Sequence, residues 1–77
     1  MNAKRRKELE SIISEFEKLK ERVDLVLEEE QEARSNLPDS LEDSDRAYAM
    51  DDNISDLENS SSNIQDAIDE IQEVIER

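Results

Sequence analysis

Two heptad seams, separated by a single proline, constrain this chain more than any other feature. From Leu9 the apolar positions step alternately by three and four: Leu9, Ile12, Phe16, Leu19, Val23, Val26, Glu30, Ala33 and Leu37, with Glu30 the one polar member. A second series runs Ala47, Met50, Ile54, Leu57, Ser61, Ile64, Ile68, Ile71 and Ile75, with Ser61 as its polar member. Three-and-four stepping lines one face of an α-helix, whereas a strand alternates every second residue. The spacing therefore predicts an all-α fold of two helices, about 4–35 and 45–76, joined by a loop at about 36–44 in a single 1–77 domain. Pro38 disfavours helical backbone at Leu37 and so ends the first helix near Ser35. Ser44 is the expected N-cap of the second, with Asp45 in the first turn where its charge meets the positive helix end.

Composition excludes whole classes of chemistry. Without Cys or His there is no thiolate nucleophile, imidazole base or soft metal ligand, so no enzyme activity, no cofactor and no metal are expected. The absence of Gly removes the usual phosphate-cradling loop and any easy route to positive φ. The acidic run from Asp39 to Asp52 lacks the glycine and regular spacing of a calcium loop. No run approaches 18 apolar residues, so neither a membrane span nor a signal peptide is expected, and the chain is assigned to the cytoplasm. A pI near 4.2 argues against direct contact with nucleic acid or an anionic membrane, both of which require a basic face.

A loop this short favours an antiparallel hairpin. In that register Leu9 faces Ile75, Phe16 faces Ile68, Leu19 faces Ile64, Val23 faces Ser61 and Val26 faces Leu57. The basic cluster Lys4, Arg5, Arg6 and Lys7 comes beside Glu70, Glu73 and Glu76. Ile13 and Leu27 flank the first seam, and Ala67 and Val74 the second. Such a stripe is wider than a two-helix contact needs and offers a second face to a second hairpin. The chain is thus expected to form a homo-oligomeric bundle, a dimer or higher. Its core is expected to comprise Ile13, Phe16, Leu19, Val23, Val26, Leu27, Ile54, Leu57, Ile64, Ile68, Ile71 and Val74.

Charge is divided unevenly. Residues 1–35 hold 8 Lys plus Arg against 10 Asp plus Glu, a net −2, and residues 36–77 hold 2 against 13, a net −11. A helix of ~30 residues is ~45 Å long, giving one net charge per ~3.5 Å for a hairpin at −13 and per ~1.7 Å for an aligned dimer. Those spacings match one strand and duplex DNA respectively. The carboxylates expected to contact a partner are Asp51, Asp52, Asp56, Glu58, Asp66, Asp69 and Glu73. Two further features admit a bland or a functional reading. The run Asn59-Ser60-Ser61-Ser62-Asn63 places five poor helix formers in mid-helix, as a bend or a polar patch. Arg46 and Tyr48, at the start of the second helix, either pair with neighbouring acids or receive a phosphate.

The heptads of Leu9–Glu32, the Asn36-Leu37-Pro38-Asp39-Ser40-Leu41 turn and the Ser44-Asp45-Arg46-Ala47 start of an acidic helix resemble small helical-hairpin proteins encoded by phages and prophages of Gram-positive bacteria. The likeness spans most of the chain, and its specificity lies in the Leu-Pro-Asp-Ser-Leu turn and the Ser-Asp-Arg start. The resemblance implies a phage setting, in which small acidic proteins commonly occupy a nucleic-acid site on a host or defence protein. The leading expectation is a non-enzymatic acidic inhibitor of a basic host or defence protein, acting by mimicry of nucleic acid. A rival is an oligomeric sponge that sequesters a small phosphorylated nucleotide through Arg34, Arg46, Tyr48, Ser60, Ser62 and Asn63. A second rival is a structural oligomerisation module.

Overall fold

A computed structural model describes residues 1–77 as two long helices packed against each other, with no strand. Helix α1 spans Ala3–Ser35 and helix α2 spans Asp45–Glu76, with a single 3₁₀ turn, Asp39–Leu41, between them. Asn2 caps α1, its side-chain oxygen accepting from the Arg5 N–H at 2.9 Å. At the other end the Asn36 N–H donates to the Glu32 carbonyl and Leu37 is followed by extended Pro38, at φ −61° and ψ 151°. The reversal contains no residue with positive φ, so a chain without glycine closes it at no steric penalty. Ser44 caps α2, accepting from the Ala47 N–H at 3.2 Å while donating to the Leu41 carbonyl at 2.6 Å. One hydroxyl thereby ties the 3₁₀ turn to the first turn of α2.

The hairpin measures 60 × 15 × 12 Å, with a radius of gyration of 17.5 Å against ~11.5 Å for a compact domain of this length. Its interior is accordingly one layer thick. Only Ile13, Ala47, Met50, Ser61 and Ile68 are buried. On α2 the heptad seam faces inward throughout, every position from Ala47 to Ile75 being buried or half-buried.

On α1 the inward face departs from the expected seam. Leu19 and Val26, assigned to the hairpin interior, are 46% and 53% exposed, and Ala33 is exposed. Ile13 is instead buried and Leu27 half-buried between the helices, although both were placed at the flank. The reason lies in the helical repeat: a straight α-helix of 3.6 residues per turn drifts ~20° per heptad relative to a strict 3.5 repeat. Along the series Ile12, Leu19, Val26, Ala33 the side chain passes from half-buried at Ile12 to exposed at the other three. The series one place later, Ile13, Lys20, Leu27 and Arg34, stays buried or half-buried throughout.

The segment Asn59–Asn63 does not interrupt α2, which is continuous across it. Ser61 is the reason it is tolerated. At 8% exposure, its hydroxyl donates to a carboxylate oxygen of Asp24 on the facing helix.

Candidate interaction surface

Three polar ties cross between the helices and fix their register. Asp24 accepts from the Ser61 hydroxyl and also pairs with Lys20, one turn earlier on α1, at 3.1 Å. Glu30 accepts from the Asn53 side-chain amide at 2.9 Å. Arg34 donates through Nε to Asp51 at 2.8 Å and through a terminal nitrogen to the Glu42 carbonyl at 3.3 Å. Each tie falls within one residue of the antiparallel register expected from the seams. Ser61 and Lys20 together hold the Asp24 carboxyl below its ordinary range, Ser61 having the larger effect. The Asp51 carboxylate pushes the Arg34 guanidinium above its ordinary value, so it is charged at every working pH. These residues are committed to holding the hairpin together.

Arg34 therefore has its hydrogen-bonding face turned to Asp51 and Glu42 and away from any ligand. Arg46 and Tyr48 are exposed at the start of α2, while Ser60, Ser62 and Asn63 are exposed ~18 Å or more further along the same helix. One chain does not bring the six residues of the sequestration reading together. Ser60 donates to the Asp56 carbonyl one turn back. No group of three or more acidic side chains converges to hold a metal ion, and no helix is long and apolar enough to cross a membrane.

Two surfaces remain. The first is acidic: Asp52, Asp56, Glu58, Asp66, Asp69 and Glu73 are exposed on α2. Ion pairs within the hairpin number two, Lys20–Asp24 and Arg34–Asp51, against 23 acidic residues. Asp51 thus differs from its neighbours in being already paired. No ion pair joins Lys4, Arg5, Arg6 or Lys7 to Glu70, Glu73 or Glu76, although antiparallel packing puts the two groups at one end. Spread over 60 Å, a net −13 is one charge per ~4.6 Å, sparser than the ~3.4 Å of a single nucleic-acid strand. The expected match fails for one hairpin because its helices, at 33 and 32 residues, are each ~50 Å long and the whole molecule extends to 60 Å, against the ~45 Å expected. Two hairpins side by side have one charge per ~2.3 Å, between a strand and a duplex.

The second surface is apolar. Leu19, Val23, Leu25 and Val26 of α1 and Leu57 and Ile64 of α2 line an open groove of about 690 Å³, with Arg22 and Glu29 at its rim. Five of these, Leu19, Val23, Val26, Leu57 and Ile64, are among the residues expected in an oligomer core, but the expected register also turns Leu19 and Val26 toward α2; the drift of a straight helix past a 3.5 repeat is the signal that turns them outward. No family model, curated protein or solved structure matches the chain.

Proposed function

We propose that this protein is a non-enzymatic, self-associating interaction module that binds the basic, phosphate-accepting surface of another protein through the carboxylates of α2. One observation carries the reading: the acid excess of α2 is neither buried nor compensated, because the only two ion pairs of the hairpin use Asp24 and Asp51. A net charge of −13 on 77 residues exceeds the ~2 to 8 that solubility asks of a small domain. Uncompensated charge on a rigid rod steers association with a groove of opposite sign, and that steering weakens as salt rises. Self-association adds density, since two adjacent hairpins pass the charge spacing of a single strand and one does not. In the phage setting implied by the resemblance, the partner is a host or defence protein of the bacterial cytoplasm whose natural ligand is nucleic acid.

The test is capture from a Gram-positive cytoplasmic extract on immobilised protein, repeated with a variant whose Asp52, Asp56, Asp66 and Glu58 are converted to the corresponding amides. Asp51 is left intact because Arg34 needs it. The reading expects one basic partner that duplex DNA elutes and the variant fails to retain. Retention by the variant, together with indifference to DNA, contradicts it.

A further inference from the structure

We infer that the groove on α1 seats α1 of a second copy, antiparallel, about a two-fold axis beside Val26, with Arg22 of each copy against Glu29 of the other. This rests on the self-association in the reading above and supplies its surface, direction and pairing.

The outward face of α1 is itself a heptad stripe. Ile12, Leu19, Val26 and Ala33 recur every seven residues, with Glu15, Arg22 and Glu29 three places after the first three. Apolar side chains at a strict heptad interval are complementary to another helix, and within the hairpin the stripe is left uncovered beyond Ile12: Leu19 and Val26 are 46% and 53% exposed, and Leu25, which also lines the groove, 58%. Charge decides which surface a copy can approach. Residues 36–77 carry −11 and residues 1–35 only −2, so contact through α2 would set −11 against −11, whereas contact through α1 leaves both acidic helices outside.

Charge also decides the direction. A two-fold interface presents the same patch twice, so residue i meets j and j meets i. With the two α1 helices parallel, Arg22 lies against Arg22 and Glu29 against Glu29, a repulsion at both levels. With them antiparallel, Arg22 meets Glu29 of the other copy twice, Leu19 meets Ala33 twice, and Val26 meets itself on the axis. Neither Arg22 nor Glu29 has an ion-pair partner within the hairpin, so both are free to form the contact. The contact from Leu19 to Ala33 runs ~21 Å along α1, and Leu57 and Ile64 close the floor of the groove beneath it.

Sedimentation equilibrium across a concentration series tests the inference, with circular dichroism verifying that each variant is helical. Arg22→Glu replaces two attractions by two repulsions and is expected to raise the dimer Kd about tenfold. Adding Glu29→Arg to that variant is expected to restore it to within about threefold. Val26→Cys is expected to oxidise to a covalent dimer of twice 9.0 kDa that survives denaturation, and Ser62→Cys, exposed on α2, to form no cross-link under the same conditions. If the parent dimerises but Arg22→Glu leaves its Kd unchanged, or Ser62→Cys cross-links as fast as Val26→Cys, this surface is wrong while self-association stands. If the parent remains at 9.0 kDa at every concentration, both fail.

Discussion

Ser61, the one polar member of the α2 seam, shows how a single hydroxyl changes the meaning of a core position. As a gap in a heptad it invites filling; as the donor that holds Asp24 against α2 it does not. Ser61→Leu is expected to destabilise the hairpin by ~1–3 kcal/mol, because the side chain is already 8% exposed and the larger residue must displace Asp24. Urea unfolding followed by circular dichroism at pH 7 measures this, and a rise in midpoint would show that the hydroxyl is dispensable. Asp24 adds a pH dependence whose sign follows from its lowered folded value. Its contribution is present above the unfolded value near 3.8 and is lost as pH falls through the lower folded one. The difference in midpoint between the parent and Asp24→Asn is therefore expected to be full at pH 6 and to shrink steadily below pH 3.8. A difference independent of pH would mean that Asp24 acts by packing alone. Arg34 behaves otherwise: its raised value keeps it charged throughout the accessible range, so its own titration adds no pH dependence.

At the scale of the element, the two helices and their packing against each other were legible from heptads and punctuation. Pro38 stops α1 at Ser35, and Ser44 starts α2 at Asp45. The Ser44 cap predicts its own test: Ser44→Ala is expected to cost ~1 kcal/mol, read as a lower urea midpoint together with faster amide exchange at Asp45–Ala47. Equal exchange in both proteins would assign the helix start to Asp45 and the 3₁₀ turn instead. The inward face of α1 was less legible, and the cause is physical. Apolar pattern alone favours Leu19 and Val26, but the drift of a straight helix and the interior ties of Lys20, Asp24 and Arg34 bring in polar side chains by their stems and hydrogen bonds. No residue-type count registers that. The acidic surface was legible as charge, whereas Asp51 was grouped with the free carboxylates although the expected register sets it within one residue of opposite Arg34, because a count of charge does not say which carboxylate is paired.

The whole molecule is a rod with two unlike sides: a near-neutral helix with an apolar groove and a helix that carries most of the net charge. Salt acts on the two sides in opposite directions. Self-association brings together two chains of −13, so screening their repulsion strengthens it, while partner binding is an attraction that screening weakens. An acidic helix that binds and a near-neutral helix that pairs together fix what sedimentation velocity must show for the protein mixed with its captured partner over a salt series. Between about 50 mM and 200 mM salt the complex is expected to dissociate, as phosphate-binding surfaces release their ligands over that range. The hairpin is expected to leave as a dimer, increasingly so as salt rises. A complex that persists at high salt, or one that dissociates to the 9.0 kDa monomer, contradicts the account.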